Sequence, residues 1–289
     1  MKVFAECGLE DNAISRVAKA VAENTPASVQ LVSSEDEADL VIIYAYAHRR
    51  SNKYRSEHLL DRGKKYAIIQ FSVRSTPNPL TADWLSIWER AELVWSYYDL
   101  EAMCKEDGNA ANFNFYRAPL GVDTKIFCET PSARRFVVAG TGTGRGWNKE
   151  CKNEIVKAAG MIGKPVFQLG FGENTENITY SNGMDDATLA KHYSQCEFVS
   201  GLRRIEGFEL PVLEGLMCGA RPIVFDKPHY RDWFEDLAEF IPEDDQRVDN
   251  ILKIFLKGAK PVTEKEKEYV KKNFDWAKIC KEFWKRLLK

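Results

Sequence analysis

Two glutamates, Glu206 and Glu214, stand with seven residues between them in Ser200 to Val224, SGLRRIEGFELPVLEGLMCGARPIV. Pro211 suits the first position of a helix, where its missing N–H would have had no intrahelical partner. Gly219 suits the end of the same short helix, and Arg221 to Phe225 then reads as a buried strand. The stretch therefore combines a loop, a helix start and two carboxylates. Backbone N–H groups at such a start can hold an anion such as a diphosphate, and a carboxylate in the first turn accepts hydrogen bonds from sugar or ribose hydroxyls. Isolated glutamates at this spacing usually decorate a solvated helix, so the whole string carries the weight here.

Two further stretches bear on chemistry. Gly140 to Gly146, GTGTGRG, follows a strand pattern and precedes a helical one. It is neither a dinucleotide fingerprint, because Arg145 stands where the third glycine is needed, nor a phosphate loop ending in Gly-Lys-Ser/Thr. His48 to Lys65 carries seven Lys and Arg against Glu57 and Asp61, a net charge of +5. This stretch begins at the carboxyl end of a strand, the side on which open parallel sheets bind ligands, and Arg74 follows the next strand on that side. It reads as a basic loop facing an anionic acceptor or as a solvated charged helix. No metal is expected, since neither His/Cys ligand spacing nor an Asp-x-Asp motif in a suitable loop is present.

The elements that must position these residues follow an α/β alternation. Strands are expected at Lys2–Ala5, Val29–Val32, Leu40–Tyr46, Tyr66–Phe71, Leu93–Tyr97 and Asn114–Arg117. A second series is expected near 136–139, 165–169, 177–180, 198–202, 221–225 and 239–242. The 289 residues suffice for two domains, divided here into 1–125 and 126–289. The longest apolar run, Leu40 to Ala47, falls well short of the roughly 18 residues of a membrane span. MKVFAE enters a strand pattern directly, without signal-peptide regions. Seven cysteines with no CxxC pair suit reduced, mostly buried thiols, so a cytoplasmic location is expected (the host cytoplasm for a viral protein). Net charge is −2, and any attraction for polyanions must be local.

The string EGFELPVLEGLMCGARPIV resembles the signature of family-4 retaining glycosyltransferases, close to EGFGLPxLEAMACGxPVI. Ala118 to Phe127, APLGVDTKIF, looks like the interdomain PNGVDxxxF segment of that family, and Phe274 to Ile279 resembles its FSWxxIA segment. The resemblance covers the chain well from about residue 90 onward and poorly before it. It implies the GT-B fold: two Rossmann-like doubly wound domains facing a cleft, with a C-terminal helix crossing back to the first. It gives Glu206 the donor sugar and reacting centre, and Glu214 the ribose hydroxyls. Gly207, Phe208, Glu209 and Leu210 would line the sugar and phosphate, Glu209 replacing the commoner glycine. Arg145 and Lys149, with Lys152 as a substitute for the latter, match the cations that neutralise the leaving diphosphate. Arg203, in place of a small polar residue, would add to phosphate binding or pair with an acid. His48 would touch the donor sugar or the acceptor, beside Arg49, Arg50 and Arg74.

The function implied is retaining transfer of a sugar from a nucleotide-diphosphate sugar, a UDP-sugar foremost, to a hydroxyl acceptor without a metal or other cofactor. The basic 48–65 stretch makes hydroxymethylated DNA one acceptor. The alternatives are a saccharide- or lipid-directed enzyme and a non-catalytic nucleotide-sugar-binding protein of the same fold.

Overall fold

A computed structural model describes residues 1–5, 13–45, 49–71, 73, 82–109, 113–141, 150–204 and 208–289. The chain forms two compact units, Met1–Leu120 together with Trp276–Lys289, and Gly121–Asp275.

The first unit holds strands β1 (Lys2–Ala5), β2 (Gln30–Leu31), β3 (Leu40–Ala45), β4 (Lys65–Gln70), β5 (Val94–Ser96) and β6 (Phe115–Arg117). They form one parallel sheet in the order β2-β1-β3-β4-β5-β6. Every residue of β3 is buried, as expected where helices cover both faces of a parallel sheet. Helix α1 (Ala13–Glu23) buries Val17 and Val21. Helices α2 (Arg49–Asp61), α3 (Ala82–Glu89) and α4 (Leu100–Glu106) complete the connections. Trp84, Ile87 and Trp88 of α3 enter a core with Tyr66, Ile68 and Val94.

The last helix, α11 (Trp276–Leu287), belongs to this first unit, as the crossing-back helix requires. Its buried residues Ile279, Cys280, Phe283 and Trp284 recur at helical spacing. The Trp284 indole N–H donates to the Val21 carbonyl at 3.2 Å. Phe283 packs on Trp95 with ring centroids 5.3 Å apart, and the Tyr116 hydroxyl donates to the Ile279 carbonyl at 3.3 Å.

For the basic stretch, the charged-helix alternative is the one the fold adopts. Arg49 to Asp61 is a helix, because Ser56 and Leu59 are buried at helical spacing and Leu60 is half-buried beside them. The density of charge around this apolar stripe disguises it in the sequence. No described helix is long and apolar enough to cross a membrane.

The second unit holds β7 (Phe136–Gly140), β8 (Val166–Leu169), β9 (Ile178–Ser181), β10 (Cys196–Gly201), β11 (Arg221–Phe225) and β12 (Glu239–Ile241). Its sheet is also parallel, in the order β12-β11-β10-β7-β8-β9. The chain runs outward from β7 to β9, then returns to lay β10 against the other side of β7. Helices α5 (Lys152–Met161), α6 (Asp186–Ser194), α7 (Leu210–Met217), α8 (Pro228–Phe234), α9 (Arg247–Lys257) and α10 (Glu264–Asn273) accompany these strands. The entry and exit of the unit are tied together where the Val122 N–H donates to the Phe274 carbonyl at 2.9 Å.

Helix α7 lies so close on β10 that a Cβ at Gly215 would overlap the Val199 side chain, 2.6 Å from its Cβ. A Cβ at Gly160, in α5, would meet open space. Gly215→Ala is therefore expected to cost about 1–3 kcal/mol by overpacking, whereas Gly160→Ala gains about 0.5–1 kcal/mol from helix propensity. Urea or thermal midpoints of the two variants check this contrast; equal shifts would contradict the packing of α7 on β10.

Candidate functional site

The order of strands in the second unit reverses between β7 and β10, and ligands of open α/β sheets bind beyond the carboxyl ends of the strands at such a reversal. The chain leaving β7 is 141–151, and the chain leaving β10 is 202–209. The two strand ends are joined by the buried Thr141, whose hydroxyl donates to the Ser200 carbonyl at 2.8 Å. A Cβ at Gly140 would meet the amide end of the Gln168 side chain on β8, which would have to shift. Arg145 and Lys149 belong to this first connection and lie outside the described residues, as do Glu206 and Gly207 in the second.

Past the first connection, Cys151 caps α5 at φ 51, a left-handed conformation that costs a non-glycine residue roughly 1–2 kcal/mol. Lys152, the proposed substitute for Lys149, opens α5 with its ammonium 5.6 Å over the Tyr180 ring of β9. That contact holds it toward the outer strand of the sheet.

The second connection is described on both sides of 205–207. Leaving β10, the Arg203 N–H donates to the Gly201 carbonyl at 2.9 Å. The Lys227 ammonium donates to the carbonyls of Arg203 and Arg204, at 3.2 and 2.8 Å, and pairs with Glu243 at 2.9 Å. Arg204 also pairs with Glu243 at 3.3 Å. Phe208 is buried against Phe234, with ring centroids 5.1 Å apart, and lies near Trp233 and Phe274. Its ring therefore anchors the loop in the core. Glu209 is the N-cap residue of α7 but makes no side-chain cap. Its carboxylate turns inward, accepting from the Tyr230 hydroxyl at 3.2 Å and pairing with Arg203 at 3.0 Å.

Helix α7 begins at Leu210 with Pro211 second, one residue earlier than the proline suggests. Proline is tolerated at either place, since first-turn N–H groups lack intrahelical partners. Glu214 consequently falls in the second turn and not the first. It is 3% exposed. Leu210 is buried as well. Gly219, at φ 83, ends the helix as the sequence suggests, its N–H donating to the Leu216 carbonyl at 2.9 Å.

In the first unit, the reversal of strand order lies between β1 and β3. His48, after β3, and Arg74, after β4, lie outside the described residues. Arg49 and Arg50 form the start of α2. The other cations of the basic stretch are matched by neighbouring acceptors. Lys53 pairs with Asp83 at 3.0 Å, Arg55 with Glu35 at 3.4 Å, and Lys65 with Glu92 at 3.0 Å. Arg62 pairs with Glu35 at 3.3 Å and with Asp36, and Lys64 donates to the carbonyls of Asp36 and Ala38. The acids come from Glu35–Glu37, α3 and the approach to β5, so the charge excess of the segment is largely balanced in three dimensions. Sequence spacing gives no sign of these partners, nor of Tyr230 and Lys227. Among the described residues, no group of three or more His, Cys, Asp or Glu could hold a metal.

No protein-family model matches the chain, and no curated protein sequence does. Solved structures do match. Anabaena HepE in complex with UDP-glucose superposes with a TM-score of 0.75 at 12% identity, over 99% of this chain and 99% of that one. The sucrose-phosphate synthase of Thermosynechococcus elongatus gives 0.69 at 16% identity, over 87% of this chain and 73% of that one. AviGT4, a glycosyltransferase involved in avilamycin A biosynthesis, gives 0.65 at 8% identity, over 99% and 96%. At such identities the likeness is one of fold, and the fold is GT-B, built from two Rossmann-like units.

Cys151, Cys196 and Cys218 of this unit are buried thiols. Burial, with the Glu154 charge second, pushes Cys151 up to about 12. Burial, with the Glu214 charge second, does the same to Cys218, also to about 12, and burial raises Cys196 further. Because the thiolate is the reactive form, these three should resist iodoacetamide at pH 8 in the folded protein, while the exposed Cys128 reacts. Their folded values lie above the ordinary 9.0, so the native state binds more protons between pH 9 and about 12. The stability they contribute is complete below pH 9 and lost as pH rises through that window. Peptide mapping after alkylation, with and without urea, tests the protection; native labelling of Cys151 or Cys218 would contradict it.

Proposed function

We propose that the protein is a retaining glycosyltransferase that moves a sugar from a nucleotide-diphosphate sugar, a UDP-sugar foremost, to an acceptor hydroxyl. The observation that carries this is the meeting of β7 and β10 at the reversal of strand order. Both strands end at one sheet edge, where α7 with its buried Glu214 also starts; in this reading Arg145, Lys149 and Glu206 act from the connections that leave these strands. The resemblance of the 206–224 string to a nucleotide-sugar signature supports the assignment, as does a shared fold with a protein solved with UDP-glucose.

In this mechanism the diphosphate sits over the ends of β7 and β10. Arg145 and Lys149 meet the negative charge that grows on it as the glycosidic bond breaks, the kind of electrostatic stabilisation that often dominates catalysis. Glu206 holds the donor sugar at the reacting centre. Glu214 accepts hydrogen bonds from the ribose hydroxyls, while the backbone of Gly207 to Leu210 follows the sugar and phosphate. The departing phosphate oxygen takes the proton of the incoming hydroxyl on the same face, so configuration is kept. The side chains of Phe208 and Glu209 are used below the site, in packing and pairing, leaving their backbone as the donor contact.

Acceptor binding is assigned to the first unit, around His48, Arg49, Arg50 and Arg74. Lys53, Arg55, Arg62, Lys64 and Lys65 are engaged by neighbouring acceptors. Their pairing favours a saccharide hydroxyl over hydroxymethylated DNA, which needs a positive surface and gives strongly salt-dependent binding.

Thermal-shift titration with UDP-, GDP- and ADP-sugars should identify the donor, and transfer assays on simple glycans and on hydroxymethylated DNA should identify the acceptor. Glu206→Ala is expected to lower kcat by about 10²- to 10³-fold, the scale of losing one transition-state contact. Glu214→Ala should chiefly raise the donor KM, by about tenfold or more for a charge-assisted hydrogen bond. Normal turnover by Glu206→Ala would overturn the site assignment. Donor binding with neither transfer nor hydrolysis would leave a binding protein.

A further inference from the structure

Where the resembling family places glycine, this chain places Glu209, and the carboxylate is 1% exposed. A buried carboxylate is costly unless paired and hydrogen-bonded. Both conditions are met: Oε1 accepts from the Tyr230 hydroxyl at 3.2 Å, and Oε2 lies 3.0 Å from Arg203 Nε. Tyr230 is itself fully buried on α8, so it holds the carboxylate from that helix. A Cβ at Gly201 would lie 3.4 Å from Glu209 Cγ and 2.6 Å from Val212. The absence of a side chain at the end of β10 therefore makes the room in which Glu209 lies.

Arg203 is the second residue beyond β10, on the edge where β7 also ends. Its backbone is held by the Lys227 ammonium on its carbonyl and by its own N–H on Gly201. Its side chain remains 22% exposed, against 2% for Glu209. The acid is thus buried, while part of the Arg203 side chain remains accessible. The ion pair with Glu209 restrains the Arg203 side chain, which reduces the rotamer freedom lost when it meets an anion.

We infer that Glu209 is a positioning residue that, with Tyr230, orients Arg203 toward the diphosphate of the donor. This rests on the donor site proposed above, and it adds a cation at a place where the resembling family has a small polar residue. Glu209 does not touch the donor through its side chain. Its effect passes through Arg203 and is confined to ligands that carry phosphate.

The test compares UDP with uridine by calorimetric or competition titration, for the wild type, Arg203→Ala, Glu209→Gln and the double variant. Glutamine keeps the shape of the side chain and an oxygen for Tyr230, and melting curves confirm that each variant folds. Arg203→Ala should weaken UDP by about tenfold or more, the scale of a charge-assisted contact, and leave uridine unchanged. Glu209→Gln should weaken UDP less, again sparing uridine, and should add nothing in the Arg203→Ala background. If wild-type protein binds UDP but Glu209→Gln leaves that affinity intact, or weakens UDP and uridine alike, the positioning role is overturned while the donor site stands. If the wild type binds none of UDP, GDP and ADP, the donor site falls and this inference with it.

Discussion

The second unit depends on the junction where β7 and β10 lie side by side after the strand order has reversed. A parallel sheet needs crossover connections, and at a reversal the connections on the two sides diverge, leaving a gap beyond the strand ends. In this chain the ends are joined by Thr141 and Ser200. The close approaches around them require Gly201 and Gly215, and Gly140 makes room for the Gln168 amide. Small residues there allow Gln168, Glu209 and α7 to come close to the strands, and that closeness places the start of α7 at the sheet edge. The proposed chemistry uses this arrangement.

Electrostatics divides the two units differently. In the first unit, Lys53, Arg55, Arg62 and Lys65 pair with surface acids at partly exposed positions. Such pairs contribute little stability each, with a median of roughly 0–1 kcal/mol, but together they remove most of a local field. In the second unit, Glu209, Glu214 and Arg221 are buried. Arg221 is satisfied structurally, by Glu266 at 2.7 Å and by the carbonyls of Leu237, Lys260 and Pro261. Glu209 and Glu214, in contrast, sit beside the candidate site, where buried charge is a common companion of function.

Most strands were legible because they are short apolar runs bounded by polar residues, the pattern of buried parallel strands; the outer strands β2 and β9 contain no buried residue. The crossing-back of α11 was legible from the resemblance of Phe274–Ile279, and its buried stripe agrees with it. For α2 the sequence offered a charged helix beside a basic loop, and Ser56 and Leu59 alone are too few to decide between them. The start of α7 was misplaced by one residue because proline marks the first turn and not one position in it. At the site, the string around Glu206 and Glu214 was legible as a whole. The inward turn of Glu209 depends on Tyr230, twenty-one residues further along, and no local pattern in the sequence encodes that contact.

The central claim is that the edge shared by β7 and β10 binds a nucleoside diphosphate. Calorimetric titration of UDP into the wild type and into an Arg145→Ala/Lys149→Ala double variant tests it most directly. The account predicts saturable binding to the wild type and a loss of about a hundredfold or more in the double variant, for two charge-assisted contacts. Equal affinity in the two proteins would contradict it.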